Sequence, residues 1–217
     1  MTYIIAIDGP SGSGKSTISV KLSQILNIEY LNTGAMYRAV TKYFLDNNIK
    51  ENTATMQIKN ALDKIKIDFK DNNIYLNGKN IEEFIRTDLV TKNVSWVSAN
   101  ALVRERLVEM QRSIANKKSF VLDGRDIGTI VFPDAKYKFF LTANTRQRAI
   151  RRFEQNESNL TVDEIEQAII DRDLYDSTRK ISPLKKAEDA IEIDNSNQTI
   201  DETIKAILDN MDSDDVV

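Results

Sequence analysis

The chain has 217 residues, of which 41% are hydrophobic and 29% charged, with a formal net charge of -3. That length suits one good-sized domain, or one domain carrying an insertion, and the composition is that of a water-soluble globular protein. Cysteine and histidine are both absent, which excludes disulfides, thiolate zinc sites, thiol nucleophiles and imidazole bases, and leaves chemistry to Lys, Arg, Asp, Glu, hydroxyls and a hard cation.

The acidic balance argues against a general nucleic-acid binder and suits a small anionic ligand held in a cationic pocket. No segment reaches the length of a membrane span, and the N-terminus lacks a charged-then-apolar signal pattern. The expectation is a cytoplasmic protein with no membrane partner.

The first element is the apolar, β-branched run Tyr3-Ile4-Ile5-Ala6-Ile7-Asp8, read as a buried strand. It leads into Gly9-Pro10-Ser11-Gly12-Ser13-Gly14-Lys15-Ser16, which fits the phosphate-loop pattern G-x-x-x-x-G-K-[ST]. A helix from Thr17 to Leu26 follows, its apolar face marked by Ile18, Leu22, Ile25 and Leu26. The small residues let successive N–H groups curl into one concavity, and the helix adds the positive end of its dipole, so residues Gly9 to Thr17 are expected to cradle a polyphosphate such as that of ATP. Lys15 would reach the β- and γ-phosphate oxygens, and the Ser16 hydroxyl would ligate Mg2+.

Residues 28–32 read as a second strand, and a helix with Thr33 as N-cap runs to about Leu45, striped by Met36, Ala39, Val40, Tyr43 and Phe44 with Arg38 off the stripe. A helix is expected over 53–64. The period then drops to two at Ile65, Ile67 and Phe69, with turn chemistry at Asp71-Asn72-Asn73 and at Asn77-Gly78, so a small antiparallel β-meander is expected as an insertion. One long helix spans about Val90 to Ala115, with Val103, Leu107, Met110 and Ile114 on its buried face. Asn116-Lys117-Lys118-Ser119 lacks the acid of a guanine-binding motif and reads as a surface loop.

Core strands follow at 119–123 and 137–141. Then come a helix over 145–153, a polar break over 154–159, and a helix from Thr161 whose Thr161 and Glu164 are spaced as a capping box. A last strand at 190–194 and a helix over 199–210 precede a tail, 212–217, expected to fray. Alternating strands and helices imply an α/β fold: a five-stranded parallel sheet with helices on both faces, ligands at the carboxyl ends of the strands, plus the antiparallel insertion.

Arg148, Arg151 and Arg152 are spaced to share one helical face, and Arg172, Asp176 and Arg179 repeat at i, i+4 and i+7. Each group alone also fits an ordinary solvated face. Beside a phosphate loop they fit a helical lid, about 148–180, that closes over nucleotide: phosphoryl transfer needs fixed cations, and permanently packed ones repel. Asp123-Gly124-Arg125-Asp126 sits at a strand end, where Asp123 suits a water-mediated Mg2+ contact and Arg125 a second phosphate; a polar turn with a local ion pair is the other reading.

These blocks together resemble the bacterial cytidylate kinase family, whose members move the γ-phosphoryl of ATP to CMP and dCMP. The matching runs are Ile7 to Ser16, Asn32-Thr33-Gly34-Ala35-Met36-Tyr37-Arg38, Asp123 to Pro133, and Arg172-Asp173 through Arg179 to Leu184. The resemblance implies a single P-loop kinase domain over 1–217, with the family's extra segment in its NMP-binding region at about 62–92. It implies that Arg38 and Arg125 hold the acceptor phosphate, and that Ser95, Arg104, Asp126 and Arg179 surround the cytosine. Arg172 and Asp176 would lie near sugar and phosphate, with Thr33 a further contact. Arg148 and Arg152 would touch the transferring group with Lys15 and Arg125, and Asp194-Asn195-Ser196 would lie by the adenine. The implied partners are ATP and CMP/dCMP, with Mg2+ as cofactor and a monomer as the working form. Another P-loop kinase, acting on UMP or a sugar acid, and a slowly hydrolysing nucleotide switch are the competing readings.

Overall fold

The computed structural model describes residues 2–70, 73–116, 118–155 and 160–216. The turn at Asp71-Asn72, Lys117 of the expected surface loop and residues 156–159 of the polar break lie outside them. The chain runs β1 (Ile4–Asp8), α1 (Lys15–Ile25), β2 (Glu29–Asn32), α2 (Thr33–Asp46), α3 (Thr55–Leu62), β3 (Ile67–Lys70), β4 (Asn73–Leu76), β5 (Lys79–Asn80), α4 (Asp88–Ala99) and α5 (Ala101–Ala115). It continues through β6 (Phe120–Gly124), β7 (Tyr137–Thr142), α6 (Thr145–Glu154), α7 (Val162–Thr178), β8 (Ile191–Asp194) and α8 (Ile200–Leu208), with a π-turn at Ile127–Val131 and a 3-10 turn at Ser213–Asp215. Among the described residues no helix is long and apolar enough to cross a membrane.

Two compact units emerge, Met1–Asn32 with Arg112–Val217, and Thr33–Gln111. The first is built on the expected five-stranded sheet, in order β2-β6-β1-β7-β8 with every pairing parallel, flanked by helices. Alternation along the strands sends Ile5, Ile7, Val121, Phe139, Leu141 and Ile193 to one face, where Ile18 and Leu22 of α1 and Ile204 and Ile207 of α8 cover them. Because β1 lies between β6 and β7, with Ile7 beside Asp123 and Asp8 beside both Gly124 and Phe140, the carboxyl ends of these strands form one rim. The loop after β1 leaves from it.

The second unit packs α2 against α4 and β4 around fully buried Phe44, Ile74, Val90 and Val97, with Phe44 stacked on Trp96. Its three-stranded antiparallel sheet, in order β3-β4-β5, is the expected meander.

Several boundaries differ from the sequence reading for identifiable reasons. The long helix is two, because Asn100 takes an extended conformation and its Oδ1 accepts from the N–H groups of Leu102 at 3.0 Å and Val103 at 3.3 Å, capping a new helix. On α5 the buried face is Val103, Arg104, Leu107, Gln111 and Ala115, and Ile114 is exposed; Ile25 of α1 is exposed as well. Thr33 is the first residue of α2 rather than its cap, since β2 passes directly into the helix. The capping box expected at Thr161 is present, a second one caps α8 at Thr199, and α7 runs on to Thr178, which places Arg172 and Asp176 on a helix.

The tail is pinned rather than frayed. Tyr137 Oη donates to Asp215 Oδ2 at 2.6 Å and accepts from the Asp212 N–H at 3.1 Å, Lys136 pairs with Asp212 at 2.8 Å, and Tyr3 Oη donates to the Asp215 carbonyl at 3.2 Å. Tyr137→Phe keeps the ring's edge-to-face contact with Tyr3 and removes two of these bonds. The expected result is a loss of about 1 kcal/mol, a fall in Tm of roughly 2–4 °C by calorimetry, with no change in the secondary-structure signal.

Candidate active site

Glycine sets the path of the loop between β1 and α1. A Cβ on Gly9 would stand 2.0 Å from the Leu141 carbonyl oxygen, and Gly12 turns at φ 76° with Arg148 packed over it. Two of the loop's carbonyls are tied from outside: Arg148 donates to Ser11 O at 2.8 Å and Asn195 Nδ2 to Ser13 O at 2.9 Å. A loop held by its carbonyls turns amide N–H groups toward its concavity, at the positive end of α1.

Lys15 is buried, and its ammonium donates to Pro10 O at 2.6 Å and Ser13 Oγ at 3.3 Å. Burial pushes its pKa well below the ordinary lysine value; Arg125 and Arg172 push the same way, while Asp123 and Asp8 oppose them. The loop lysine and the two arginines therefore share one electrostatic field. Ser16 Oγ donates to Asp123 Oδ2 at 2.7 Å, and Tyr30 Oη donates to the other carboxylate oxygen at 3.0 Å. A hydroxyl and a carboxylate held side by side, both hard oxygen donors, fit Mg2+ whose remaining ligands are water and phosphate oxygens.

Asp176 gathers the cations. Buried on α7, it accepts from Arg125 Nε at 3.0 Å and lies 3.7 Å from Arg179 and 3.9 Å from Arg172. Burial alone would raise its pKa, but Arg125, Arg172 and Arg179 together outweigh that and hold the carboxyl below the usual aspartate range. Arg172 carries the cost: burial first, and then Arg125, bring its pKa down to about 10, with Arg152 adding repulsion. Arg125, Arg152, Arg172, Asp176 and Arg179 thus belong to the same cluster as Lys15.

The three arginines spaced along one face of α6 take different partners. Arg148 is buried and donates to Ala143 O, Ser11 O and Asp173; Arg151 donates to Asn195 Oδ1 at 2.9 Å and Asn195 O at 2.7 Å; the charge of Arg152 is felt at Arg172. Helical spacing brings the Cα atoms to one side, but long side chains go where acceptors are.

Two acids without an assigned role are central. Asp173 braces both Arg148 and the Ser11 N–H, the latter at 3.3 Å. Asp8, buried at the end of β1, accepts from the N–H groups of Ile127 and Gly128, each at 2.8 Å. Burial raises its pKa to about 6 even against those donors. The signal for Asp8 was in the sequence, as an acid ending an otherwise apolar strand. Asp126 is buried directly before this turn.

In the second unit, Arg38 Nη1 donates to Ile85 O and Thr91 Oγ1, both at 3.0 Å. Arg104 is buried, its guanidinium 5.6 Å from the Tyr37 ring centroid and donating to Ser98 O at 3.3 Å. Thr33 is buried at the start of α2, and Ser95 is half-buried on α4.

A family model described as cytidylate kinase matches residues 5–213. The chain is similar to a cytidylate kinase of Fusobacterium nucleatum, 46% identical over 207 residues, 94% of each chain. It is also similar to one of Clostridioides difficile, 49% identical over 208 residues, 94% of this chain and 96% of that one. Two solved structures share the fold at low identity. One, from Eubacterium ventriosum and described as uncharacterized, has a TM-score of 0.53, 17% identity, and coverage of 98% of this chain and 99% of that one. The other, from Thermus thermophilus, has a TM-score of 0.51, 15% identity and the same coverage, 98% and 99%.

Asp176→Asn removes the one carboxylate that three arginines share. The folded pKa lies below the ordinary value of 3.8, so the stability it contributes is present above that value and is lost as pH falls through the folded pKa. Urea unfolding of the variant at pH 7 should show a loss of about 3–5 kcal/mol. Its stability should also fall less than the wild type's below about pH 4.

Proposed function

The chain belongs to the cytidylate kinase family and is a nucleoside monophosphate kinase, and from that premise we propose direct in-line transfer of the γ-phosphoryl of ATP to CMP and dCMP, giving CDP and dCDP. The observation that carries the reading is the gathering of Lys15, Arg125 and Arg172: Arg125 and Arg172, which fit an acceptor's phosphate, lower the proton affinity of the loop lysine that fits a donor's, and Asp176 pairs with both arginines. A group of mutually repelling cations, three of them paired with Asp176, is matched by two phosphorylated ligands brought together.

In this reading the backbone of Gly9 to Thr17 holds the donor's phosphates and Lys15 bears on the γ-oxygens. Mg2+, bound through Ser16 and, by way of water, Asp123, would supply charge neutralisation across those oxygens. Arg125 and Arg38 hold the acceptor phosphate, and Arg172 and Asp176 its sugar and phosphate. Asp126 accepts from the exocyclic amine of cytosine, with Arg104, Arg179, Ser95 and Thr33 as further contacts. Arg152 supports the transferring group directly and Arg148 does so from its seat against Ser11. The acceptor's phosphate oxygen is already a nucleophile, so positioning and charge suffice without a general base. That suits a chain with no histidine. The segment 148–180 acts as a lid over the donor, and a cytoplasmic monomer serving pyrimidine nucleotide metabolism is the proposed setting.

A coupled assay of ADP formation over CMP, dCMP, UMP, AMP and GMP tests the acceptor. The expected result is turnover that depends on CMP or dCMP; comparable specificity constants for UMP or AMP, or ADP formed without any acceptor, would overturn it. Lys15→Ala should cut kcat by about 10³-fold with the fold intact by circular dichroism. Arg152→Ala should lower kcat more than it raises KM, because its charge matters most when charge moves to the transferring group. Asp126→Ala should weaken CMP by roughly tenfold or more while ATP affinity stays within a factor of about two; an equal loss for both removes it from base recognition.

A further inference from the structure

The peptide unit between Asp126 and Ile127 is gripped from both sides. Its carbonyl accepts from the N–H groups of Ile130 at 2.9 Å and Val131 at 3.2 Å. Its N–H donates to Asp8 Oδ1, and the next N–H, of Gly128, donates to Asp8 Oδ2. Both carboxylate oxygens of a buried residue on the central strand are thus spent on the first two amides of the π-turn. The far end of the turn has its own fastenings: Arg112 donates to the carbonyls of Ile130 and Val131, and Lys138 to that of Pro133. Between them Gly128 is packed so closely that a Cβ would stand 3.1 Å from the Lys138 stem and 3.5 Å from Asp8 Oδ2.

We propose that Asp8 is a positioning residue for the acceptor: by clamping the amides of Ile127 and Gly128 it fixes the backbone direction from which Arg125 and Asp126 project. This rests on the reading above that those two residues contact the acceptor nucleotide. Asp8 itself touches neither substrate. Arg112 and Lys138 hold the turn to the scaffold, but among the described residues only Asp8 bonds the N–H groups next to Asp126.

The test is Asp8→Asn, which preserves size and leaves one amide acceptor where there were two, turning an N–H against an N–H. Backbone amide hydrogen exchange on the protein alone should show faster exchange at Ile127 and Gly128. With the acceptor the wild type uses, KM should rise about tenfold or more, while KM for ATP moves less than about threefold, the size expected for one charged hydrogen bond. Released amides with an unchanged acceptor KM overturn the proposal. So does an equal rise for both substrates, which would mean that Asp8 acts on the phosphate loop or on folding at large. If Asp8→Asn does not fold, Gly128→Ala decides: it keeps the carboxylate, wedges a methyl between Asp8 and Lys138, and should raise the acceptor KM selectively, whereas no selective rise overturns the proposal. A wild type indifferent to CMP sinks the acceptor assignment instead, and the amide exchange still reports on the clamp.

Discussion

Repulsion among like charges is the constraint that shapes the first unit. Lys15, Arg125, Arg152, Arg172 and Arg179 are brought within one another's reach, and two of them, Lys15 and Arg172, are buried deeply enough for desolvation to be the largest influence on their proton affinity. Left to themselves such groups would turn outward to water. Here four of them are held: Lys15 by the carbonyl of Pro10, Arg125 and Arg172 by Asp176, and Arg179 by Asp176 and the carbonyl of Ser182. Asp176 meets three guanidiniums, so one acid at one helical position holds much of the cluster together.

The same economy appears in how the loop is held. Its backbone must turn N–H groups inward, so something else must take its carbonyls. Arg148 and Asn195 do this, and Arg151 in turn holds Asn195. The first helix of the expected lid therefore bonds to the phosphate loop twice over, once directly and once through Asn195. These bonds tie the position of α6 to the geometry of the loop.

What was legible in the sequence was whatever the backbone encodes. The phosphate loop, the parallel strands, the meander and the capping box at Thr161 follow from glycine placement, periodicity and hydroxyl–acid spacing, all local properties. What was not legible depended on where a side chain finds its partner. Arg148, Arg151 and Arg152 share a side of α6 by spacing, but their partners could not be read from it: Arg148 reaches Ser11 and Asp173, and Arg151 reaches Asn195. Asn100 breaks a helix that periodicity alone would continue, because a short amide competes for the same N–H groups. The tail was read as loose since its composition is polar, but its acids meet Lys136 and Tyr137, residues some 75 positions or more away in the chain. Asp8 was visible as an acid on an apolar strand, and its role was hidden because the amides it binds are 119 and 120 residues distant.

A cluster that depresses its own proton affinity is under electrostatic strain, and the sign of that strain says what relieves it. For a base with a lowered folded pKa the unfolded chain binds the proton more tightly, so at neutral pH the charged forms of Lys15 and Arg172 detract from stability. Neutralising them by deprotonation would relieve the fold but abolish the site. A polyanion relieves it while leaving every cation charged, and gains in binding what the fold gave up in gathering the charges. The relief grows with the negative charge delivered, so a polyanion suits this cluster better than a singly charged ligand does. Asp176 pairs with Arg125 at 3.0 Å, Arg179 at 3.7 Å and Arg172 at 3.9 Å, so the fold itself gathers these charges instead of leaving them to water.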